Sequence, residues 1–344
     1  MSDVSAITDL ELFIRQLPEH HLAPLWEVLR LLTPREPPRA ALPAVWRARE
    51  LREQILTAGR LISAEQAERR VLVLENPALA GQARITTSLY AGIQLILPGE
   101  LARSHRHTAS ALRLVLEGTG AYTMVEGERA TMHPGDLVVT PSWTFHEHGN
   151  EGSTPVIWLD GLDVPIVNLL GAAFSEDDSE QTHPPSRPTG DALARYGSAL
   201  LPVDYERRGG ASPFFWYPYE RTRSALDRMR DHGPWDEASG LKLAFTDPTT
   251  GGSPFLTMAA FVQLLPGGFA GTRYRSSDGA VFTVLEGRGT LRTAATQHEL
   301  APWDVFVIPG WSWYCLSAAE DLVLFSFSDR ALQQHLQLWR EQRA

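Results

Sequence analysis

Two periodicities divide the chain. Up to about residue 58, apolar side chains recur at helical intervals. From Val71 onward, short runs of Val, Ile, Leu and Thr alternate with Gly, Pro and Asn turns. In residues 8–33, Leu10, Phe13, Leu17, Leu25, Trp26, Leu29 and Leu32 keep a helical spacing, interrupted near Pro18. A second amphipathic helix is predicted from Ala44 to Ala58, with Gly59 as its stop, and Ser63 and Gln66 stand at capping-box spacing. Strands are predicted at 71–75, 86–97, 102–107, 110–117, 120–126, 136–140, 145–149 and 155–160. Residues 175–191 are polar and without period, so they read as an exposed linker. A short helix over 221–231, strand patterns from about 255 to 328 and an amphipathic helix over 329–341 complete the chain.

The second strand block repeats the first. VLEGTG (115–120) returns as VLEGRG (284–289), and GDLVVTPSWTFH (135–146) as WDVFVIPGWSWY (303–314), with offsets of 169 and 168. An internal duplication into two like-sized barrels follows. The expected division is an N-terminal helical arm over 1–66, a first barrel over 67–174, a linker with a short helix over 175–235, and a second barrel with the terminal helix over 236–344. The arm is expected to be structural and to pack on a neighbouring subunit.

Composition narrows the function. The chain has 344 residues, 43% of them hydrophobic, so a substantial core can form. The net charge of -10 and the lack of a basic run argue against nucleic-acid binding. Cys315 is the single cysteine, which excludes an internal disulfide and fits a reducing cytoplasm. Lys242 is the single lysine, which removes a phosphate-binding P-loop and disfavours Schiff-base chemistry. The N-terminal residues show no charged-then-apolar leader pattern, and no apolar run approaches the roughly 20 residues of a membrane span.

The candidate chemistry lies in three histidines. His105 and His107 are two apart on a predicted strand and therefore share a face. His146 arrives from another strand, framed by Gly135, Pro141 and Asn150. The spacing resembles the two sequence boxes of the cupin barrel, with two departures. Ala111 stands where a glutamate ligand is usual, and Trp143 stands where the second box has glycine. What remains is a neutral three-His metal site with open positions, and imidazole alone does not choose among Zn, Fe, Cu and Ni. The matching positions of the second barrel are Tyr274, Ser276 and Tyr314, so that barrel is expected to be metal-free.

If the strand runs straight on from His105, the same inward face carries Ala109, Ala111, Arg113 and Val115. A buried Arg113 needs an anion, either a substrate oxygen or a protein acid such as Asp160. His148 shares a face with His146 and could hold the imidazoles in place, move protons or sit at the rim. Tyr90, Gly92 and Gln94 alternate along one strand, as a ligand wall or as a polar outer face.

With these residues in hand, nearly the whole chain resembles the gentisate 1,2-dioxygenases, whose relatives act on salicylate and 1-hydroxy-2-naphthoate. The resemblance is carried by ERRVLVLENPAL (68–79), SLYAGIQLILPGE (88–100), HRHTASALRLVLEG (105–118), GDLVVTPSWTFHEHGNE (135–151), WLDGLDVP (158–165), WDEASGLKL (235–243), FVQLLPGGF (261–269), YRSSDGAVFTVLEG (274–287) and LFSFSDR (324–330). It implies a mainly β bicupin, two tandem double-stranded β-helix barrels, assembled as a cytoplasmic homotetramer. It implies one Fe(II) per subunit on His105, His107 and His146, with substrate and oxygen contacts from Arg113, His148, Asp160, Gln94 and Arg69. Tyr90 is associated with the gentisate enzymes rather than the salicylate-type ones. The implied reaction inserts O2 between the carboxylated and adjacent hydroxylated carbons of gentisate, giving maleylpyruvate. Salicylate or hydroxynaphthoate cleavage, and a non-enzymatic cupin that binds an aromatic acid, are the alternatives.

Overall fold

The structure, a computed structural model, describes residues 8–198, 200–206, 212–233 and 235–344. Contacts divide the chain after Pro38. The first unit holds the helices Asp9–Gln16 and Leu25–Leu32, with a 3-10 turn at Leu17–His20 where Pro18 ends the first helical run. Most of its apolar side chains, including Leu10, Phe13, Trp26 and Leu29, are exposed.

The second unit contains both barrels. In the first, a six-stranded sheet runs in the order Trp216–Tyr217, Leu137–Thr140, Ala111–Glu117, Val156–Leu162, Tyr90–Ile96, Val71–Val73. It faces a five-stranded sheet in the order Ser175–Asp177, Leu101–His107, His146–Asn150, Ala121–Val125, Glu128–Thr131. The second barrel repeats this plan. One sheet runs Ala44–Trp46, Val305–Ile308, Ala280–Glu286, Leu322–Ser328, Ala259–Leu265, Leu241–Ala244. The other runs Gln297–Leu300, Gly289–Thr293, Tyr314–Ala318, Tyr274–Ser276, Glu341–Arg343, with Phe269–Ala270 beside Tyr314–Ala318. Among the described residues the strands named here pair antiparallel, and alternate residues of each strand line the interior.

Several expectations shift. The helix expected from Ala44 starts at Ala48, because Ala44–Trp46 pairs with Val305–Val307 of the second barrel. Gly59 does not stop that helix, which ends at Leu61. A Cβ at Gly59 would lie 2.6 Å from Leu95 Cδ2, so glycine lets the helix lie close on the sheet. The expected linker contains the strand Ser175–Asp177 and is followed by the helix Asp191–Tyr196. The terminal helix is only Arg330–His335; Gln337 turns left-handed at φ 60, and Glu341–Arg343 then pairs with Tyr274–Ser276. The capping box at Ser63 and Gln66 forms as expected, and the helix expected over 221–231 is Tyr219–Arg230. Among the described residues no helix is long and apolar enough to cross a membrane.

Candidate active site

His105 and His146 are directly opposite each other on adjacent antiparallel strands. His107 follows two residues on, and the three rings gather with centroids 4.2 to 5.4 Å apart. One nitrogen from each ring lies within 4.8 Å of the others. The outer nitrogens are anchored to the backbone. His107 Nδ1 is 2.6 Å from Ala109 O, and His146 Nδ1 is 2.8 Å from Thr144 O. A carbonyl only accepts, so Nδ1 carries the proton and Nε2 keeps its lone pair. His146 Nε2 is buried without a protein partner, as expected of an atom with a metal to bind. Burial, together with nearby arginines, lowers all three imidazoles: His105 to about 3, His107 below its ordinary value, and His146 well below it. Neutral imidazoles are the ligand-competent form, so the set fits a divalent metal.

Trp143 keeps the frame that glycine would supply. Its backbone is left-handed at φ 60, and its N–H donates to His107 O at 2.8 Å. Its ring packs against Arg106, whose guanidinium lies 4.5 Å from the ring centre.

The strand does not run straight from His105 to Val115. It ends at His107, turns at 108–110, and restarts at Ala111 in the opposite sheet. The restart happens to place Arg113 inward again, across the barrel from the histidines. Arg113 Nη1 donates to Thr140 Oγ1 at 2.7 Å, and its Nε is 3.6 Å from Asp160 Oδ1. The protein acid is thus the partner present, and Asp160 is directly opposite Arg113 in the ladder. Burial lowers Arg113 to about 10 and raises Asp160 to about 6, with mutual attraction opposing both shifts. Arg113 Nε is buried and faces Asp160 at ion-pair rather than hydrogen-bond distance.

His148 is 1% exposed and is therefore no rim residue. Its Nδ1 meets Thr123 Oγ1 at 2.8 Å, its ring lies 5.8 Å from that of Trp158, and its Nε2 is buried without a partner. Tyr90, Gly92 and Gln94 form an inner wall rather than an outer face: Gly92 is opposite Asp160, and Gln94 opposite Trp158. A Cβ at Gly92 would lie 2.5 Å from Val71 Cγ1 and 2.9 Å from the Tyr90 hydroxyl. Arg69 reaches His105, its Nη2 2.7 Å from Nδ1 and 3.0 Å from Nε2. Metal binding at Nε2 requires that guanidinium to draw back.

Three contributors were not anticipated from sequence. Thr140 holds Arg113, Thr123 anchors the His148 ring through Nδ1, and Trp158 packs on His148 while its Nε1 donates to Asp160 Oδ1 at 3.0 Å. Strand alternation would have placed Thr140 and Trp158 near their partners; nothing in the sequence marks Thr123.

A metal-competent imidazole triad inside the first of two tandem barrels defines a bicupin, and the Cupin domain family matches residues 92–163. The chain is 49% identical to gentisate 1,2-dioxygenase 1 of Aquipseudomonas alcaligenes over 96% of its own length and 95% of that protein. It is 34% identical to a 1-hydroxy-2-naphthoate 1,2-dioxygenase of a Nocardioides species, covering 93% and 84% of the two chains. The crystal structure of salicylate 1,2-dioxygenase from Pseudoaminobacter salicylatoxidans with gentisate superposes with a TM-score of 0.92 at 31% identity, covering 100% of this chain and 97% of that one. The chain belongs to the gentisate 1,2-dioxygenase family of ring-cleaving dioxygenases.

Proposed function

We propose that the protein cleaves gentisate to maleylpyruvate, with Fe(II) held by His105, His107 and His146. The observation that carries this reading is three neutral imidazoles facing the buried Arg113–Asp160 pair across one barrel. When bound, Fe(II) supplies open coordination positions and the redox capacity that brings an aromatic ring and O2 to react. The protein's own groups do the rest. Arg113, pinned by Thr140 and Asp160, presents fixed positive charge toward an anionic oxygen. His148, held by Thr123, offers Nε2 to a ring hydroxyl or its proton. Tyr90, Gly92 and Gln94 form the wall against which the ring is oriented. The substrate carboxylate gives Arg69 an anion in exchange for its contact with His105.

The Tyr90 hydroxyl over Gly92 narrows that wall, which favours a single-ring hydroxybenzoate over a hydroxynaphthoate. The same reading makes the protein a cytoplasmic homotetramer with its iron in the first barrel, over 67–174, and a metal-free second barrel over 236–344. The exposed apolar side chains of residues 9–32 support subunit contacts by the arm expected over 1–66. Oxygen uptake by anaerobically Fe(II)-loaded protein tests the assignment. Uptake with gentisate but not salicylate is expected, with a ring-opened product in absorbance. Uptake with both would broaden the substrate class, and uptake with neither, from protein shown to hold iron, would overturn the reading.

A further inference from the structure

Two buried carboxylates tie the barrels together at matching positions. Asp163 directly follows the strand Val156–Leu162, and Asp329 directly follows Leu322–Ser328. Each accepts a backbone N–H from its own barrel and a hydroxyl from the other. Asp163 accepts from Ser110 N at 2.7 Å and from Thr257 Oγ1 at 2.5 Å. Asp329 accepts from Gly279 N at 2.9 Å and from Ser88 Oγ at 2.8 Å. Ser110 and Gly279 immediately precede the matching strands Ala111–Glu117 and Ala280–Glu286. Ser88 and Thr257 each lie two residues ahead of Tyr90–Ile96 and Ala259–Leu265.

Only one of the twins leads to the metal site. The N–H of Ser110 and the carbonyl of Ala109 belong to a single peptide group. That carbonyl is the acceptor for His107 Nδ1. Asp163 therefore holds one edge of the peptide plane whose other edge orients an imidazole. A carboxylate on the N–H also polarises the carbonyl, strengthening its hold on the ring proton. In the second barrel the matching peptide joins Asp278 to Gly279, and Ser276 stands where the imidazole would be.

We propose that Thr257, in the metal-free barrel, is a positioning residue for His107, acting through Asp163 and the Ala109–Ser110 peptide. The inference rests on the three-histidine metal reading. It gives the second barrel a part in the first barrel's chemistry. Removing the Thr257 hydroxyl takes from the buried carboxylate its hydrogen bond from the second barrel, frees the peptide to tilt and loosens the ring.

The test compares Thr257→Val with Ser88→Ala, which cuts the twin clasp without touching a ligand, and with Thr257→Ser as rescue. Fe(II) loss to a chelator is followed anaerobically in the full-length protein, alongside the visible spectrum of the Co(II)-substituted form. Thr257→Val is expected to lose metal about tenfold faster, within the range for partners of metal-bound histidines, and to shift the Co(II) bands. Thr257→Ser should restore both. Ser88→Ala should lower the melting temperature to a similar degree while losing metal at the wild-type rate. Equal rates of metal loss in Thr257→Val and Ser88→Ala would overturn the proposal. Should Thr257→Val not fold, Thr257→Ala is judged by the same comparison. Wild-type protein that takes up no divalent metal, or His107→Ala protein that keeps it as tightly, would overturn the metal reading itself, an outcome distinguishable from failure of the relay alone.

Discussion

On the inward faces of the first barrel stand His105, His107, His146, His148, Arg113 and Asp160. The matching positions of the second are Tyr274, Ser276, Tyr314, Leu316, Phe282 and Ser326. The backbone register is the same in both. Tyr274 is opposite Tyr314 as His105 is opposite His146, and Phe282 is opposite Ser326 as Arg113 is opposite Asp160. The contents differ. In the second barrel Phe282 stacks on Phe306 with ring centres 4.7 Å apart, and Leu316 and Leu324 fill the space beside them. Phe261 stands at the position of Gly92, and half-buried Lys242 rests on the Phe261 ring, its Nζ 4.7 Å from the ring centre. Alternation and turns therefore fix the barrel, while a handful of inward side chains decides whether its interior carries polar, metal-competent groups or an apolar core.

That contrast predicts opposite phenotypes at matched positions. The largest is at the ligands. His146→Ala should abolish metal retention and bring turnover to background, whereas Tyr314→Phe should leave one metal per chain and turnover within about twofold. Elemental analysis with oxygen uptake reads both; a second metal per chain that is lost with Tyr314→Phe would erase the distinction. Next comes the pair at the barrel centres. Arg113→Ala should keep iron and fold but lower kcat/KM by about 10²- to 10³-fold, the range for losing a preorganised donor. Phe282→Ala should leave kcat/KM near wild type yet cost about 3–5 kcal/mol of stability through the cavity it opens. Chemical denaturation and steady-state kinetics on the two variants together would show whether activity and stability separate this way; an Arg113→Ala enzyme of full activity would remove Arg113 from the mechanism.

Much of the site was legible from local spacing. The i, i+2 histidines and the glycine–proline frame are short-range signals, and the repeat offsets place Tyr274, Ser276 and Tyr314 at the positions of the three histidines. What failed depended on partners distant in sequence. Ala44–Trp46 reads as the start of an amphipathic helix, but it is an apolar triplet drawn into a ladder with residues 305–307. Ser175–Asp177 and Glu341–Arg343 are polar edge strands without hydrophobic period, each laid against the ligand strand of one barrel or its counterpart in the other. Arg113 was placed inward by extending one strand through a turn that in fact changes sheets; the direction survived although the path did not. Thr123 and Thr257 escaped because a hydroxyl's value lies in what it touches, and both touch residues far along the chain.

The smallest expected effect distinguishes the twin carboxylates by pH. Asp329 is raised to about 6, chiefly by burial and also by Asp278, against hydrogen bonds from Ser88, Gln333 and the Gly279 N–H. A raised folded-state value means that folding favours the protonated acid. The resulting stabilisation is fully present below the ordinary value of 3.8 and is lost as pH rises through about 6. The whole shift corresponds to at most about 3 kcal/mol. Asp329→Asn cannot titrate there, so between pH 4 and pH 6 the wild type should lose unfolding free energy relative to the variant, a difference that cancels other groups common to both. A difference that stays constant across that range would assign the titration elsewhere. Turnover of Asp329→Asn at neutral pH should stay near wild type, because the Asp278–Gly279 peptide that Asp329 holds orients no metal ligand. Asp163 is also raised by burial, but its peptide holds His107. Asp163→Asn should therefore show the loss of iron retention that its twin does not, so that two carboxylates in the same clasp are separated by what lies one peptide beyond them.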